Sequence, residues 1–381
     1  MKVAIVTSFP FPNGKATANR VRVFAEEMQK ISSINTVEII CCSDQPSNTF
    51  VFSEYIQVSN IQVASINKNR LFSRAIHELC LAVKLWGRAR AADANLILVT
   101  IPSILLLIPI VFGKGKNLIA LDVRDAVWTY LGEGIASRIS SSIMEKIFCL
   151  AATRAKIISV TNSQEAKHVE LITGKAPLVI ANGISKIRLD EMKSLEIRSL
   201  KNNVKLAYIG NVGIAQEIDR LLDFAKEIPD LEVTLVGDGA KLKELQAKCI
   251  IEGIDNVIFT GFVPSDGISG YIRSADILFA QIGLNFCSAV PTKIFEYVAS
   301  GRRVLLGLPE GPARAIFSKF HGVEIFDVGD DKGFKASYKK LLETEFNEEM
   351  RRSNLHILEE RYLRENNAKN LIQAIEENCH Y

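Results

Sequence analysis

The chain has 381 residues, of which 48% are apolar and 23% charged, and this length and composition predict two globular domains. Its 23 glycines and 11 prolines are too few for a collagen-like or low-complexity disordered chain. The net charge of +3 is unevenly spread, since residues 1–185 carry 20 Lys/Arg against 13 Asp/Glu and the remainder carries 26 against 30.

Short apolar, β-branched segments alternate with helical patterns along the whole chain. In the first half, strands are predicted at 3–7, 36–41, 95–100, 118–122, 156–160 and 177–180, and helices at 16–31, 71–90, 137–153 and 164–172. In the second half, strands are predicted at 205–209, 232–236, 257–260, 277–280, 303–306 and 322–325, and helices at 218–228, 240–251, 266–273, 293–300 and 313–320. Continuous apolar strands separated by helices are typical of parallel sheets covered on both faces, so we expect two doubly wound α/β domains.

The predicted domain boundary follows residue 184. Residues 1–184 form the first domain, the charged, strand-poor segment 185–203 is a linker, and residues 204–360 form the second domain. Residues 361–381 are a closing helix that we expect to pack back on the first domain. Ligands of parallel sheets bind at the carboxyl ends of the strands and between domains, so the site is expected there.

Several classes of protein find no support in the sequence. Seven scattered cysteines form no CxxC pair and show no zinc spacing with the histidines, which indicates reduced thiols in a cytoplasmic protein. No signal peptide opens the chain, and the longest apolar run, 104–112, is too short to span a membrane and is expected to be buried. No tract rich in Lys and Arg indicates nucleic acid, and no DxD pair ends a strand, so neither a metal nor a cofactor is expected.

Two glycine-rich turns follow strands of the second domain. Gly210-Asn211-Val212-Gly213 comes after the strand at 205–209, and Gly237-Asp238-Gly239 comes after the strand at 232–236. Glycine at a strand-to-helix turn lets the backbone approach an anion closely, which favours a phosphate site. The alternative is a purely structural tight turn.

The helix predicted after Pro291 carries two charged residues on one face. Lys293 and Glu296 are separated by three positions, and Gly301 ends the helix. One interpretation is a surface ion pair. The other is a donor site, in which the ammonium contacts a phosphate and the carboxylate accepts hydrogen bonds from ribose hydroxyls.

Taken in order, these motifs resemble those of family 4 glycosyltransferases, which are GT-B enzymes. The resemblance covers nearly the whole chain and rests on the segments 122–125 (DVRD), 182–184 (NGI), 210–213, 236–239, 256–261, 275–277 and 293–301. It implies two Rossmann-like domains that face a cleft and are closed by C-terminal helices. Bacterial enzymes of surface polysaccharide assembly are the most similar variant.

The resemblance implies the substrates and the site. A nucleotide-diphosphate sugar is the donor, and the implied donor-binding residues are Gly14, Gly210, Asn211, Val212, Gly213, Gly237, Asp238, Gly239, Pro291, Lys293 and Glu296. Glu296 would hold the ribose, Lys293 the diphosphate, and the first domain an oligosaccharide or lipid-linked acceptor. Arg124 and Asp125 would line the reaction centre, with retention of configuration at the sugar.

Three positions depart from the family pattern. Ser288 stands where many members have a Glu, and Asn211 and Gln216 stand where many have diphosphate-binding cations. Two other functions therefore stay open, a nucleotide-sugar 2-epimerase of the same architecture and a non-catalytic subunit that binds nucleotide sugar.

A membrane surface is a further expected partner. The helix at 71–90 has an apolar stripe and a basic stripe that includes Arg70, Arg74 and Arg88. Such a helix can bind anionic lipid at the inner face of the plasma membrane, and the alternative is an ordinary surface helix.

Overall fold

The computed structural model describes residues 1–12, 16–63, 71–101, 103–113, 115–129, 134–200 and 203–379, without the side chains of 16, 71–74 and 379. The chain forms two compact units. Unit 1 comprises Met1–Ala181 and Arg364–Tyr381, and unit 2 comprises Asn182–Leu363. Each unit is an α/β domain built around its own sheet.

Unit 1 contains an eight-stranded sheet in the order β3-β4-β2-β1-β5-β6-β7-β8. Its strands are β1 (Lys2–Thr7), β2 (Thr36–Ser43), β3 (Asn48–Ser53), β4 (Ile56–Gln62), β5 (Leu96–Ile101), β6 (Leu118–Val123), β7 (Ile157–Val160) and β8 (Leu178–Val179). Its helices are α1 (Ala16–Met28), α2 (Leu71–Ala91), α3 (Ile108–Phe112), α4 (Ile135–Arg154), α5 (Ser163–Thr173) and the C-terminal α14 (Arg364–Cys379).

The prediction for this sheet is confirmed except at one edge. The β3–β4 hairpin was not expected, and β3 pairs antiparallel with β4 at the margin of an otherwise parallel sheet. The run 104–112 forms a 3-10 turn (Ile104–Leu107) and α3, and it is buried only in part: Ile104, Leu106, Leu107 and Ile110 are buried, whereas Phe112 is 80% exposed. No helix in the described part of the chain is long and apolar enough to cross a membrane.

Unit 2 contains a six-stranded parallel sheet in the order β11-β10-β9-β12-β13-β14. Its strands are β9 (Val204–Ile209), β10 (Leu231–Val236), β11 (Val257–Gly261), β12 (Ile277–Gln281), β13 (Arg303–Gly307) and β14 (Val323–Phe326). Its helices are α6 (Lys186–Lys193), α7 (Asp219–Glu227), α8 (Leu242–Glu252), α9 (Ile268–Ser274), α10 (Lys293–Ala299), α11 (Pro312–Phe317), α12 (Asp331–Glu343) and α13 (Glu348–Arg361). The order reverses between β9 and β12, the kind of position where parallel sheets bind ligands.

The segment expected to be a linker is instead part of unit 2. Helix α6 begins after Ser185, whose hydroxyl oxygen accepts a hydrogen bond from the main-chain N–H of Arg188. Leu189 and Met192 of this helix are buried in the core of unit 2. The other residues of 186–193 are mostly polar, so the segment resembles a linker in composition. The chain returns to unit 1 through α14, whose apolar side packs on α1.

Gly183 lies where two segments of unit 2 approach closely. The main-chain N–H of Ile184 donates to the carbonyl oxygen of Tyr362 at 2.9 Å. A Cβ at Gly183 would overlap that same carbonyl oxygen. Glycine at this position therefore permits the contact between the beginning and the end of unit 2.

Candidate functional site

The two glycine turns of unit 2 pack against each other at the carboxyl ends of β9 and β10. The N–H of Val212 donates to the carbonyl oxygen of Asp238 at 2.9 Å. A Cβ at Gly237 would overlap the carbonyl oxygen of Gly210, and one at Gly239 would overlap that of Val212. Gly210 and Gly237 also have positive φ angles of 149° and 140°. The glycines are therefore required by the backbone geometry of the paired turns.

Lys293, in the first turn of α10, reaches the turn at Gly210. Its Nζ donates to the carbonyl oxygen of Ile209 at 3.0 Å and to the hydroxyl of Tyr208 at 3.2 Å. It also lies over the Tyr208 ring, 4.4 Å from the ring centroid. Burial lowers the pKa of the Lys293 ammonium to about 8. A lysine with few solvent contacts at a strand end is suited to an anionic ligand.

Glu296 lies one turn further along α10 and forms an ion pair that the sequence did not indicate. Its Oε2 atom accepts from both Nε and Nη2 of Arg188, at 3.2 and 2.6 Å. The Nη1 group of Arg188 donates to the Ser269 hydroxyl at 3.0 Å and pairs with Glu191. Burial alone would lower the pKa of Arg188, but the carboxylates of Glu296 and Glu191 raise it. Both predicted charges of α10 therefore have protein partners.

Asn211 and Gln216, two of the three positions that depart from the family pattern, are hydrogen-bonded to each other. Gln216 accepts hydrogen bonds at Oε1 from Asn211 Nδ2 at 3.3 Å and from the N–H of Gly213 at 3.2 Å. Glu217 follows with a left-handed backbone, at φ 44°. The N–H groups of Val212 and Gly213, which were expected to face a diphosphate, thus donate within the protein, and Lys293 contributes a cation at this turn.

Pro291 lies two residues before α10, and its carbonyl oxygen accepts a hydrogen bond from the N–H of Ile294 at 3.4 Å. The helix begins at Lys293, with Thr292 as the preceding residue. The carbonyl oxygen of Val290 accepts a hydrogen bond from Asn182 Nδ2 at 3.4 Å, which connects the NGI segment to the beginning of α10. Ser288 is buried.

In unit 1, Arg124 and Asp125 directly follow β6. Arg124 Nη1 donates to the hydroxyl of Thr17. Burial and the neighbouring Arg20 lower the pKa of Arg124, whereas burial raises the pKa of Asp125. Arg20 itself forms a buried bidentate ion pair with Asp122, with N–O distances of 2.7 and 2.9 Å. Asp122 therefore has a structural role, since it pairs with Arg20 of α1. Asp125 is the carboxyl group of this segment whose pKa burial raises.

Another buried carboxyl group, that of Glu165, interacts electrostatically with Asp125. Glu165 is 3% exposed, and its Oε2 accepts hydrogen bonds from the N–H and the hydroxyl of Thr161, at 3.0 and 2.7 Å. Burial raises the pKa of Glu165 to about 7, and the charge of Asp125 adds to this rise. Glu165 is not among the residues predicted from the sequence, because nothing in the pattern of α5 distinguishes it from a surface glutamate.

Arg88, one arginine of the basic stripe predicted on α2, has a partner within unit 1. Arg88 donates to Glu38, a buried carboxylate 2.6 Å away, and Trp86 is buried with its indole N–H bonded to the carbonyl oxygen of Leu106. Ile76 and Val83 are exposed. Arg70 and the side chain of Arg74 lie outside the described residues, as does Gly14. Arg88 therefore belongs to the fold of unit 1.

A cavity of about 410 Å³ in unit 2 is lined by 194–198, Arg273 and Arg302. The guanidinium of Arg302 donates to four main-chain carbonyl oxygens there, including those of Glu196 and Ile272. None of the predicted donor-binding residues that the structure describes lines this cavity. Arg302 has a structural role there, because its hydrogen bonds connect the ends of α9 and α10 to Glu196.

The chain is similar to known proteins in one segment of its sequence and in its fold. Residues 191–356 match the family model of glycosyl transferases group 1, a segment that contains both glycine turns, Lys293 and Glu296. No curated protein sequence is significantly similar to the chain.

Solved structures are similar over almost the whole chain. The sucrose-phosphate synthase of Thermosynechococcus elongatus has a TM-score of 0.79 at 13% identity, with 99% of this chain and 98% of that one covered. Anabaena HepE, solved with UDP and glucose, has a TM-score of 0.69 at 15% identity, with 99% of each chain covered. The lipopolysaccharide outer core galactosyltransferase WaaB has a TM-score of 0.65 at 14% identity, with 99% and 100% covered. The fold indicated by the sequence motifs is confirmed: the chain has the fold of GT-B glycosyltransferases, and residues 191–356 match the family model of glycosyl transferases group 1.

Proposed function

We propose that this protein is a glycosyltransferase that moves a sugar from a nucleotide-diphosphate sugar to a glycan acceptor, with retention of configuration. The observation that carries the proposal is the position of Lys293, whose ammonium lies at the Gly210 turn inside the segment that matches glycosyl transferases group 1. HepE, with a similar fold, was solved with UDP and glucose, which supports a nucleotide-sugar donor.

In this proposal, residues of unit 2 bind the donor and stabilise its leaving group. Transfer breaks the bond between C1 of the sugar and the diphosphate oxygen, so negative charge develops on the leaving diphosphate. The Lys293 ammonium stabilises that charge, and its low exposure strengthens the interaction relative to water. Glu296 accepts hydrogen bonds from the ribose hydroxyls. Asp238, with Gly237 and Gly239, lies beside the nucleotide.

In the same proposal, residues of unit 1 bind and orient the acceptor. Arg124 and Asp125 would act at the reaction centre, with Asp125 orienting the acceptor hydroxyl or stabilising positive charge on the sugar. Burial raises the pKa of Asp125, as is common for carboxyl groups that act in catalysis. We propose that no metal ion takes part, and transfer that persists in excess EDTA would support this.

The proposed acceptor is lipid-linked, in the assembly of a bacterial surface polysaccharide at the cytoplasmic face of the membrane. WaaB, a lipopolysaccharide galactosyltransferase, supports this class of acceptor. Helix α4 supports membrane contact, since Ile135, Ile139 and Ile143 are 82%, 56% and 54% exposed at successive positions four residues apart. Arg138 and Lys146 of the same helix are also exposed, which suits an anionic lipid surface.

The experiment measures release of free nucleotide from a panel of nucleotide sugars, with and without an extract of lipid-linked acceptors. Acceptor-dependent release supports the proposal, and Asp125→Asn should lower kcat by about tenfold to a hundredfold with donor affinity retained. Epimerised sugar formed from donor alone would favour the 2-epimerase. Donor binding with no release under any condition would favour the non-catalytic subunit.

A further inference from the structure

In the ion pair between Arg188 and Glu296, the guanidinium contacts one of the two carboxylate oxygens. Two of the three nitrogen groups of the Arg188 guanidinium, Nε and Nη2, donate to the same oxygen of Glu296, Oε2. Among the described residues, no hydrogen bond reaches the other oxygen, Oε1. The side chain of Glu296 keeps 21% of its surface exposed. One oxygen of the carboxylate is thus held by the protein, and the other is accessible to a ligand.

Arg188 is itself fixed in place by three contacts besides Glu296. Its Nη1 donates to Ser269 and pairs with Glu191, and Ser269 donates in turn to Glu191. Its main-chain N–H is bonded to the side chain of Ser185, which begins α6. The guanidinium therefore cannot rotate without breaking several hydrogen bonds.

Helix α6 is anchored at both ends. Leu189 and Met192 are buried in the core of unit 2. At the C-terminal end, the buried guanidinium of Arg351 donates to the carbonyl oxygens of Met192, Lys193 and Leu195, at 2.6 to 3.0 Å. A side chain on such a helix holds its partner in one orientation, which is what a binding residue requires.

We propose that Arg188 is a positioning residue that fixes the Glu296 carboxylate so that its Oε1 atom accepts hydrogen bonds from the ribose hydroxyls of a nucleoside diphosphate. The inference rests on the proposed function and adds a residue outside the segment matched by the family model, which begins at 191. Two carboxylates face one guanidinium here, so Arg188 is not the cation that meets the diphosphate. Lys293 remains that cation.

The test compares ribose recognition in variants of Arg188. Calorimetry gives the dissociation constants of UDP and GDP and of their 2′-deoxy counterparts, and the ratio of deoxy to ribo values measures recognition of the 2′-hydroxyl. Wild-type protein should show a ratio of about ten or more for the nucleotide it prefers, since one hydrogen bond to a charged group is lost. Arg188→Ala should bring the ratio close to one, Glu296→Gln should lower the ratio in part, and Arg188→Lys should keep a ratio between those of Arg188→Ala and the wild type.

Matched variants distinguish positioning from general stability. Arg220→Ala removes another ion pair of unit 2, with Asp331, and should leave the ratio unchanged. If Arg188→Ala does not fold, Arg188→Gln is measured by the same ratio. A wild-type ratio retained in the Arg188 variants, with Glu296→Gln defective, would overturn this inference alone. Wild-type protein that binds no nucleotide would overturn the proposed function and this inference together.

Discussion

The ammonium of Lys293 donates a hydrogen bond to the carbonyl oxygen of Ile209, the last residue of β9, at 3.0 Å. This contact connects α10 to the glycine turn that follows the strand. Because burial lowers the pKa of Lys293 to about 8, its charge changes within a range that binding experiments can reach.

Nucleoside diphosphate affinity should therefore weaken as pH rises from 7 to 9.5. A bound diphosphate favours the protonated lysine, so the complex has the higher pKa, and affinity falls between the pKa of the free protein and that of the complex. Lys293→Met should bind about tenfold more weakly at pH 7 and lose the pH dependence. Calorimetry with UDP and GDP at four pH values measures this, with Lys241→Met as the control that keeps the wild-type profile. A flat wild-type profile would contradict the role of Lys293.

Gly237→Ala should be far more damaging than the same change at another glycine with a positive φ. A Cβ at Gly237 overlaps the main-chain oxygen of Gly210, whereas a Cβ at Gly253 meets nothing within 4 Å. Gly253→Ala should lower stability by only about 1 kcal/mol, the cost of the left-handed conformation. Thermal unfolding of the two variants is the measurement. Equal shifts in Tm would show that the two turns separate easily.

Most helices and strands could be predicted from local sequence patterns, whereas contacts between distant segments could not. The strand at 205–209, its glycine turn and the helix at Lys293 follow from short runs of apolar residues and glycines. The partner of Glu296 does not, because Arg188 is 108 positions away in a polar segment with no strand. Residues 186–193 resemble a linker in composition, and only two of them, Leu189 and Met192, are buried.

The missed hairpin has a similar cause. Strand β3 has no buried residue, and its pairing with β4 is antiparallel, so its sequence lacks the continuous apolar run that identified the other strands. Gly183 was noted for its motif, but its close approach to Tyr362 depends on where the chain leaves unit 2. Such long-range contacts have no periodic signal in the sequence.

The stability of unit 1 should fall as pH rises from 5 to 8. Glu165 has a pKa of about 7 in the native state, above its ordinary value of 4.5, so the native state binds more protons between these values. The loss is about 3 kcal/mol at most. Glu165→Gln imitates the protonated carboxyl group and should flatten the pH dependence, whereas Glu170→Gln on the exposed side of α5 should not.

Tryptophan fluorescence isolates this effect, since both tryptophans, Trp86 and Trp128, belong to unit 1. Urea unfolding followed by their emission at pH 5, 6, 7 and 8 gives the free energy of unfolding of that unit. A slope in Glu165→Gln equal to that of the wild type would mean that another group carries the pH dependence.

The exposed isoleucines of α4 should bind lipid. Replacing Ile139 and Ile143 together with asparagine removes apolar area from the exposed face and leaves the buried Phe148 side of the helix intact. Sedimentation with vesicles that contain phosphatidylglycerol should fall severalfold in this variant, because interfacial binding scales with buried apolar area. Leu171→Asn, which changes an 83% exposed residue on α5, is the matched control and should sediment as the wild type does. Equal sedimentation of all three proteins, or no preference for anionic over neutral vesicles, would contradict membrane contact through α4.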